Sequence, residues 1–270
     1  MPPTLCSLYA GIDWERAEKR QPDKLKNEQQ ALERAIADGL FTQPDHHLPG
    51  MWKVGGNIGF RNAGHLFDTN ALRCKDLTQA MTLGRKLVSE YTTFYQTYMP
   101  GCENIELVTT AALLGVRESR RIVGEYELTI DDYMARRQFP DQIGVFNKFV
   151  DIHVHNTSKE EYERFLAEKD RLRLGEGEVF GIPYGILVPR GWDNLWVAGR
   201  CNSSDVYVHG SIRVQPACAM MGEAVGVAAV QSIHTGQPAC DLDTHALVQA
   251  LRAQGAYLPQ ERLSHRMTRR

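Results

Sequence analysis

The sequence predicts a mixed α/β fold, and three observations carry that reading. Short apolar runs of strand length alternate with longer stretches in which apolar residues recur at helical spacing. With 43% hydrophobic residues over 270 positions, the chain can bury a sizeable core. The last third joins a short apolar run ending at Gly199-Arg200 to a small-residue helix opened by Pro216, the strand–loop–helix order of ligand-binding α/β sheets.

Taken in order, Thr4 to Ile12 is apolar, bounded by prolines and Asp13, and reads as a buried strand. A polar helix follows, with Asp23 as its cap, Leu25, Leu32, Ile36 and Leu40 at helical spacing, and Gly39 as a stop. Between Pro44 and Arg73 the composition shifts to Gly, Asn, His and Pro, which is loop or short-hairpin chemistry. The clearest helix runs from about Asp76 to Tyr98. Its stripe is Leu77, Ala80, Met81, Leu87, Val88, Tyr91, Phe94, Tyr95 and Tyr98, and Pro100-Gly101 ends it.

Ile105 to Leu114 is strand-like and leads into Gly115 to Arg121. Thr129 with Asp132 makes a variant capping box, and Ser158 with Glu161 the standard one. Asp151 to His155 alternates polar and apolar residues, as a half-buried strand does. Phe180 to Pro189 reads as one extended segment, and Asn194 to Ala198 as a strand buried on both faces. A helix from Ala217 to about Ile233 and another from Thr244 to Gln254, stopped by Gly255, close the fold before a basic, frayed tail at Arg262 to Arg270.

Composition narrows the function. Lys+Arg number 31 and Asp+Glu 33, a net charge of −2, which argues against nucleic-acid or membrane binding through electrostatics. No apolar run approaches the roughly 18 residues of a membrane span, and Met1-Pro2-Pro3-Thr4 is not the start of a secretory signal, so a cytoplasmic protein is expected. The cysteines at 6, 74, 102, 201, 218 and 240 are scattered with no C-x-x-C pair, so neither a zinc site nor an iron–sulfur cluster is expected. Neither G-x-G-x-x-G nor G-x-x-x-x-G-K-[ST] occurs.

Chemistry concentrates in the last third. A strand that stops at Gly199 lets backbone approach a ligand, and a helix beginning at Pro216 offers unpaired N–H groups and the positive end of its dipole. Gly222 and Gly226 leave one helix face bare, for a cofactor or for close helix–sheet packing. His46, His47 and His65 lack the Asp or Glu spacing of a metal site. On a helix, Arg117 and Arg121, with Arg120 between, would share a face and grip an anionic substrate; the plainer reading has them bond strand carbonyls, Glu118 or Glu125. Asp151, His153 and His155 suggest a metal-dependent hydrolase, but one that needs further ligands from elsewhere.

The motifs Ile182-Pro183-Tyr184-Gly185-Ile186-Leu187-Val188-Pro189, Asn194-Leu195-Trp196-Val197-Ala198-Gly199-Arg200 and His209-Gly210-Ser211-Ile212-Arg213-Val214-Gln215-Pro216, with Met221-Gly222-Glu223-Ala224, closely resemble the C-terminal signature of FAD-dependent oxidoreductases. The subgroup is the one resembling the heterodisulfide reductase flavin subunit. The resemblance extends upstream through Leu114 to Tyr126, Leu128-Thr129, Phe139 to Ile143 and Asp151 to His153.

It implies an incomplete glutathione-reductase-like FAD fold: an inserted α+β substrate domain over 1–180, the C-terminal segment of the FAD domain over 181–258, and a tail over 259–270. In such a fold the G-x-G-x-x-G unit precedes residue 1. It also implies FAD as cofactor, held by Gly199, Arg200, Arg213, Val214, Gln215 and Pro216. Beside the expected flavin, Tyr184, Arg117 and Arg121 are the candidate substrate-side residues, and His209, with an ordinary pKa near neutral, would either move a proton during catalysis or, as a loop histidine, merely bond the backbone. The expected reaction is flavin-mediated redox chemistry on a small molecule. The alternative is a non-catalytic fragment or subunit that needs a partner chain carrying the dinucleotide-binding βαβ unit. A 4Fe-4S cluster enters only as a label of relatives with clustered cysteines, and Tyr207-Val208 replaces the small residues that many relatives have there.

Overall fold

The computed structural model describes residues 1–18 and 24–259. The expected Asp23 cap and the tail at Arg262 to Arg270 lie outside the described residues. The chain divides into two compact units, neither contiguous in sequence: Met1–Arg117 with His153–Glu168, and Glu118–Ile152 with Lys169–Arg270. This division differs from the expected cut at residue 180, because Glu118–Ile152 folds with the C-terminal part.

The first unit is built on an antiparallel sheet. Strands β1 (Ser7–Ala10), β2 (Met51–Gly55), β3 (Ile58–Arg61) and β4 (Glu106–Thr110) lie in the order β2-β3-β1-β4. The Gly/Asn-rich stretch after Pro44 forms the expected hairpin, β2 turning at Gly56-Asn57 into β3. Short helix α1 (Trp14–Glu18) follows β1, its Arg16 amide donating to Asp13 Oδ1 at 3.1 Å.

Helices α2 (Lys24–Ala37) and α3 (Cys74–Tyr98) are fastened together where Tyr98 donates its hydroxyl to Asp38 Oδ2 at 2.6 Å. The predicted stripe of α3 is its core face: Ala80, Leu87, Val88, Tyr91, Phe94 and Tyr95 are buried with Leu5, Tyr9 and Leu32. Met81 and Tyr98 are packed at its edge. The wholly buried Arg61 lays its guanidinium 3.4 Å from the centroid of the Tyr91 ring, so an aromatic face meets a cation the core could not otherwise solvate.

The second unit is helical around a two-stranded antiparallel ribbon, β5 (Gln142–Phe146) and β6 (Phe180–Pro183). Every residue of β6 is buried. Around it pack α4 (Ile130–Met134), α6 (Val206–Ile212), α7 (Gln215–Thr235) and α8 (Thr244–Ala253), while α5 (Lys159–Arg171) carries the chain from the first unit's segment back to the second. Gly236, at φ +70°, takes the left-handed conformation that ends α7.

Mixed helix and sheet is thus what the sequence predicted, with every paired strand antiparallel. Three expected strands differ. Asp151 to His155 lies in no sheet, Phe180 to Pro189 turns into a 3₁₀ helix at Tyr184–Leu187, and Asn194 to Ala198 is irregular and only partly buried. The last of these has no neighbouring strand among the described residues. Its backbone is held instead by a bond from the Val197 amide to the Leu187 carbonyl, at 2.8 Å. Helix α6 stands in the stretch expected as the loop between the apolar run ending at Gly199 and the helix after Pro216.

By length and composition α7 can cross a membrane, contrary to the expectation that no run approaches that length. Here it packs on α8 and β5 through Ala217, Met221, Ala224 and Ala228.

Asp132 is the N3 residue of the capping box that Thr129 opens on α4. Its Oδ2 accepts the Thr129 amide at 3.1 Å and the Tyr126 hydroxyl at 2.9 Å, and its Oδ1 pairs with Arg137 at 2.8 Å. Burial alone would raise its pKa, but these donors hold the carboxyl below the usual aspartate range. The stabilisation is therefore complete above the unfolded value, near 4, and is lost as pH falls through the lower folded value. Asp132→Ala should lower unfolding free energy by about 2 kcal/mol at pH 7. In urea unfolding, the gap between wild type and variant should narrow below pH 4.

Candidate functional site

The C-terminal unit carries an open pocket at the start of α7, lined by Arg200, Arg213, Val214, Gln215, Pro216 and Cys218. Its architecture begins at Asp205. That carboxylate caps α6 by accepting the Val208 amide at 2.8 Å, and its second oxygen accepts the Ile130 amide at the head of α4, at 2.6 Å. Helix α6 is then sewn to residues 148–151. Ser211 donates to the Lys148 carbonyl at 2.6 Å, and Gly210 lies so close to Asp151 that an added Cβ would sit 3.1 Å from its carbonyl oxygen. Arg213 follows α6 and bonds both the Asp151 carbonyl, at 3.1 Å, and Oδ2, at 3.0 Å. Lys148 shares the same carboxylate at 3.4 Å.

Immediately after Arg213 the chain turns through Val214 into α7, with Pro216 in its first turn. Val214 has no side-chain oxygen to cap the helix, so no cap from that position satisfies the Gln215 and Ala217 amides of the first turn or offsets the positive dipole end. Gly199 opens a 3₁₀ turn at φ +79° on the opposite side, and a Cβ there would lie 3.8 Å from Cys218 Sγ. Two arginines, a bare helix N-terminus and no carboxylate in the lining suit an anionic or electron-rich group. Burial raises the Cys218 thiol and Arg200 only partly offsets it, so this cysteine is no ready thiolate.

The expected cofactor positions are therefore brought together: Arg200, Arg213, Val214, Gln215 and Pro216 in one lining, and Gly199 beside Cys218. Their donor set fits the phosphate or pyrimidine edge of a flavin nucleotide. Cys218 was missed, although its place three residues after Gln215 puts it on the same helix face. Gly222 and Gly226 are exposed, with nothing within 4 Å of an added Cβ, so the close approach expected there does not occur within the described residues.

The chain belongs to the FAD dependent oxidoreductase family. That family's model matches residues 2–252. No curated protein and no solved structure matches the chain. Membership implies FAD binding and general flavin redox chemistry.

The other expected site residues of this family member are placed differently. His209 lies on α6, wholly buried, with neither ring nitrogen hydrogen-bonded among the described residues. Burial first, and then the Arg121 charge, push its pKa down to about 4 against the opposing pull of Glu118, so the ring is neutral and shielded near pH 7. A proton-carrying role does not suit it.

Tyr184 is a structural tie, donating to the Ala239 carbonyl at 2.9 Å and accepting from Trp196 Nε1 at 2.6 Å, its pKa raised by burial to about 12. Residues 117–123 form no helix, so Arg117 and Arg121 share no i, i+4 face. Arg117 donates to the Pro2 carbonyl at 2.9 Å, and Arg121 pairs with Glu118 at 3.0 Å. The plainer reading of these arginines is the structural one. The Asp151/His153/His155 set is not assembled: Asp151 holds Arg213, His153 is buried against His65, and His155 is exposed.

Because burial and the Arg121 charge push the His209 pKa down to about 4, its ring proton resonances should stay unchanged between pH 8 and pH 6 in an NMR titration. The depressed folded value also means that protonation favours the unfolded chain as pH falls from about 6.5 toward 4. Replacement by Gln should flatten that part of the stability profile.

Proposed function

We propose that the chain works as an FAD-dependent oxidoreductase on a small molecule, with the start of α7 as the cradle for the electron-rich part of the flavin. The observation that supports this most directly is the gathering of Arg200, Arg213, Val214, Gln215 and Pro216 around one open pocket. Bound FAD would supply the redox chemistry, taking up or giving back the electrons exchanged with substrate.

The residues of the chain do the electrostatic and positioning work. The α7 amides and helix dipole favour negative charge where reduction would place it, and Arg213, locked by Asp151, adds a fixed cation. Arg200 is exposed and adds a second positive charge to the wall. Gly199 keeps its turn because a side chain at φ +79° is strained by roughly 1 kcal/mol or more.

A second reading, in which a partner chain carrying the dinucleotide-binding βαβ unit completes the site, is favoured by the bare face of α7. There Ala219, Gly222, Gly226, Val230 and Ile233 are all exposed. A sheet layer laid on that face would find no bulky side chain near its centre.

The test is FAD titration of the purified chain, followed by flavin fluorescence quenching. Arg200→Ala and Gly199→Val should each weaken binding about tenfold, while Arg252→Ala, away from the pocket, should not. Equal affinity in all three variants would remove the proposed flavin cradle. Saturable binding seen only after a βαβ-bearing partner is added would favour the second reading.

A further inference from the structure

Three histidines far apart in sequence meet inside the N-terminal unit. His47 comes from the loop before β2, and His65 follows β3, where its backbone bridges Thr4. His153 opens the segment His153–Glu168 that returns to this unit. His65 Nε2 and His153 Nδ1 are 2.8 Å apart, and one ring nitrogen from each of the three histidines falls within 4.8 Å of the others. The His47 ring stacks on that of His65 at 5.1 Å between centroids and stands edge-on to that of His153 at 5.6 Å.

Asp45 stands behind them. Its Oδ2 is 2.8 Å from His65 Nδ1, and its two oxygens accept the amides of His47 and His65, each at 3.0 Å. A carboxylate on Nδ1 directs the lone pair of Nε2 toward the other two rings, as carboxylates behind metal-bound histidines do. Asp45, His65 and His153 are buried, whereas His47 is only half-buried and leaves one side open to solvent. Phe67 and Phe165 form an apolar wall, with ring centroids 5.6 Å from His65 and His47 respectively.

A proton shared between two imidazoles would use only the His65–His153 pair. It gives no reason for a third nitrogen to converge on the same point. Three neutral imidazoles around one centre are what a borderline-soft divalent ion requires. Nitrogen ligands about 2.05 Å from tetrahedral zinc lie roughly 3.3 Å apart, so the pair at 2.8 Å needs to open by only about half an ångström.

We propose that His47, His65 and His153 bind a divalent transition-metal ion of the zinc class, with Asp45 orienting His65 from outside the ligand set. A fourth position, on the half-open His47 side, is left for water. The ion would clip the returning segment His153–Glu168 onto the sheet of the first unit, a role separate from the flavin cradle.

The test uses the tag-free full chain, stripped with EDTA and titrated with zinc chloride by calorimetry, with elemental analysis after gel filtration. One zinc per chain is expected, together with a higher melting temperature. Asp45→Asn should weaken zinc binding by about 10- to 100-fold. His47→Ala, at the least buried ligand, should weaken it at least as much, with circular dichroism checking its fold. Cobalt titrated in place of zinc should give paramagnetically shifted histidine resonances in wild type and none in His47→Ala. The double variant His234→Ala/His245→Ala should keep full uptake. Wild type that takes up no stoichiometric zinc overturns the proposal, as does uptake that survives in His47→Ala or is lost in the double variant.

Discussion

The architecture of the C-terminal unit depends on one carboxylate, Asp205. It satisfies the leading amides of two helices at once, Val208 in α6 and Ile130 in α4. Unpaired helix-end amides buried without such a partner would each cost about 1–3 kcal/mol. The backbone on either side of the carboxylate repeats the tie: the Asp205 amide donates to the Leu128 carbonyl at 3.0 Å, and the Leu128 amide to the Ser203 carbonyl at 3.1 Å. The loop that carries Gly199 and Arg200 and the helix that leads to Arg213 thus leave a common fixed point.

From there the chemistry of the pocket follows by geometry. Gly210 and Ser211 set α6 against the backbone at 148–151, which brings the Asp151 carboxylate to Arg213. A guanidinium pinned in two places is a preorganised charge, and α7 starts two residues beyond it, after Val214. The chain belongs to the FAD dependent oxidoreductase family, matched over residues 2–252, and the proposed cradle would set this positive surface against the flavin. The neutral, buried His209 stands behind this wall as packing.

Much of the fold was legible because local physics decided it. The α3 stripe, the Gly56-Asn57 hairpin, the Thr129/Asp132 cap and the Pro216 start of α7 are each written within a few neighbouring residues. Errors arose where an apolar run needed a distant partner. Asn194 to Ala198 has strand composition but no strand beside it among the described residues, and Phe180 to Pro189 turns into a 3₁₀ helix at Tyr184, whose hydroxyl is drawn to Ala239. Helix α6 was hidden because Val206, Tyr207 and Val208 lack helix preference, and its cap also serves a helix 75 residues earlier.

By itself the sequence determined the family motifs, the amphipathic helices and the mixed architecture, and it drew Arg200, Arg213, Val214, Gln215 and Pro216 into one stretch but left out Cys218. Only the tertiary structure decided the state of each polar side chain. It made His209 neutral, turned Tyr184 and the arginines into ties, gave Asp151 to Arg213, and set His153 against His65 across 88 positions. The physical reason is that spacing along a chain sets which residues share a helix face. Burial, charge and the meeting of distant side chains arise only when separate segments exclude water together.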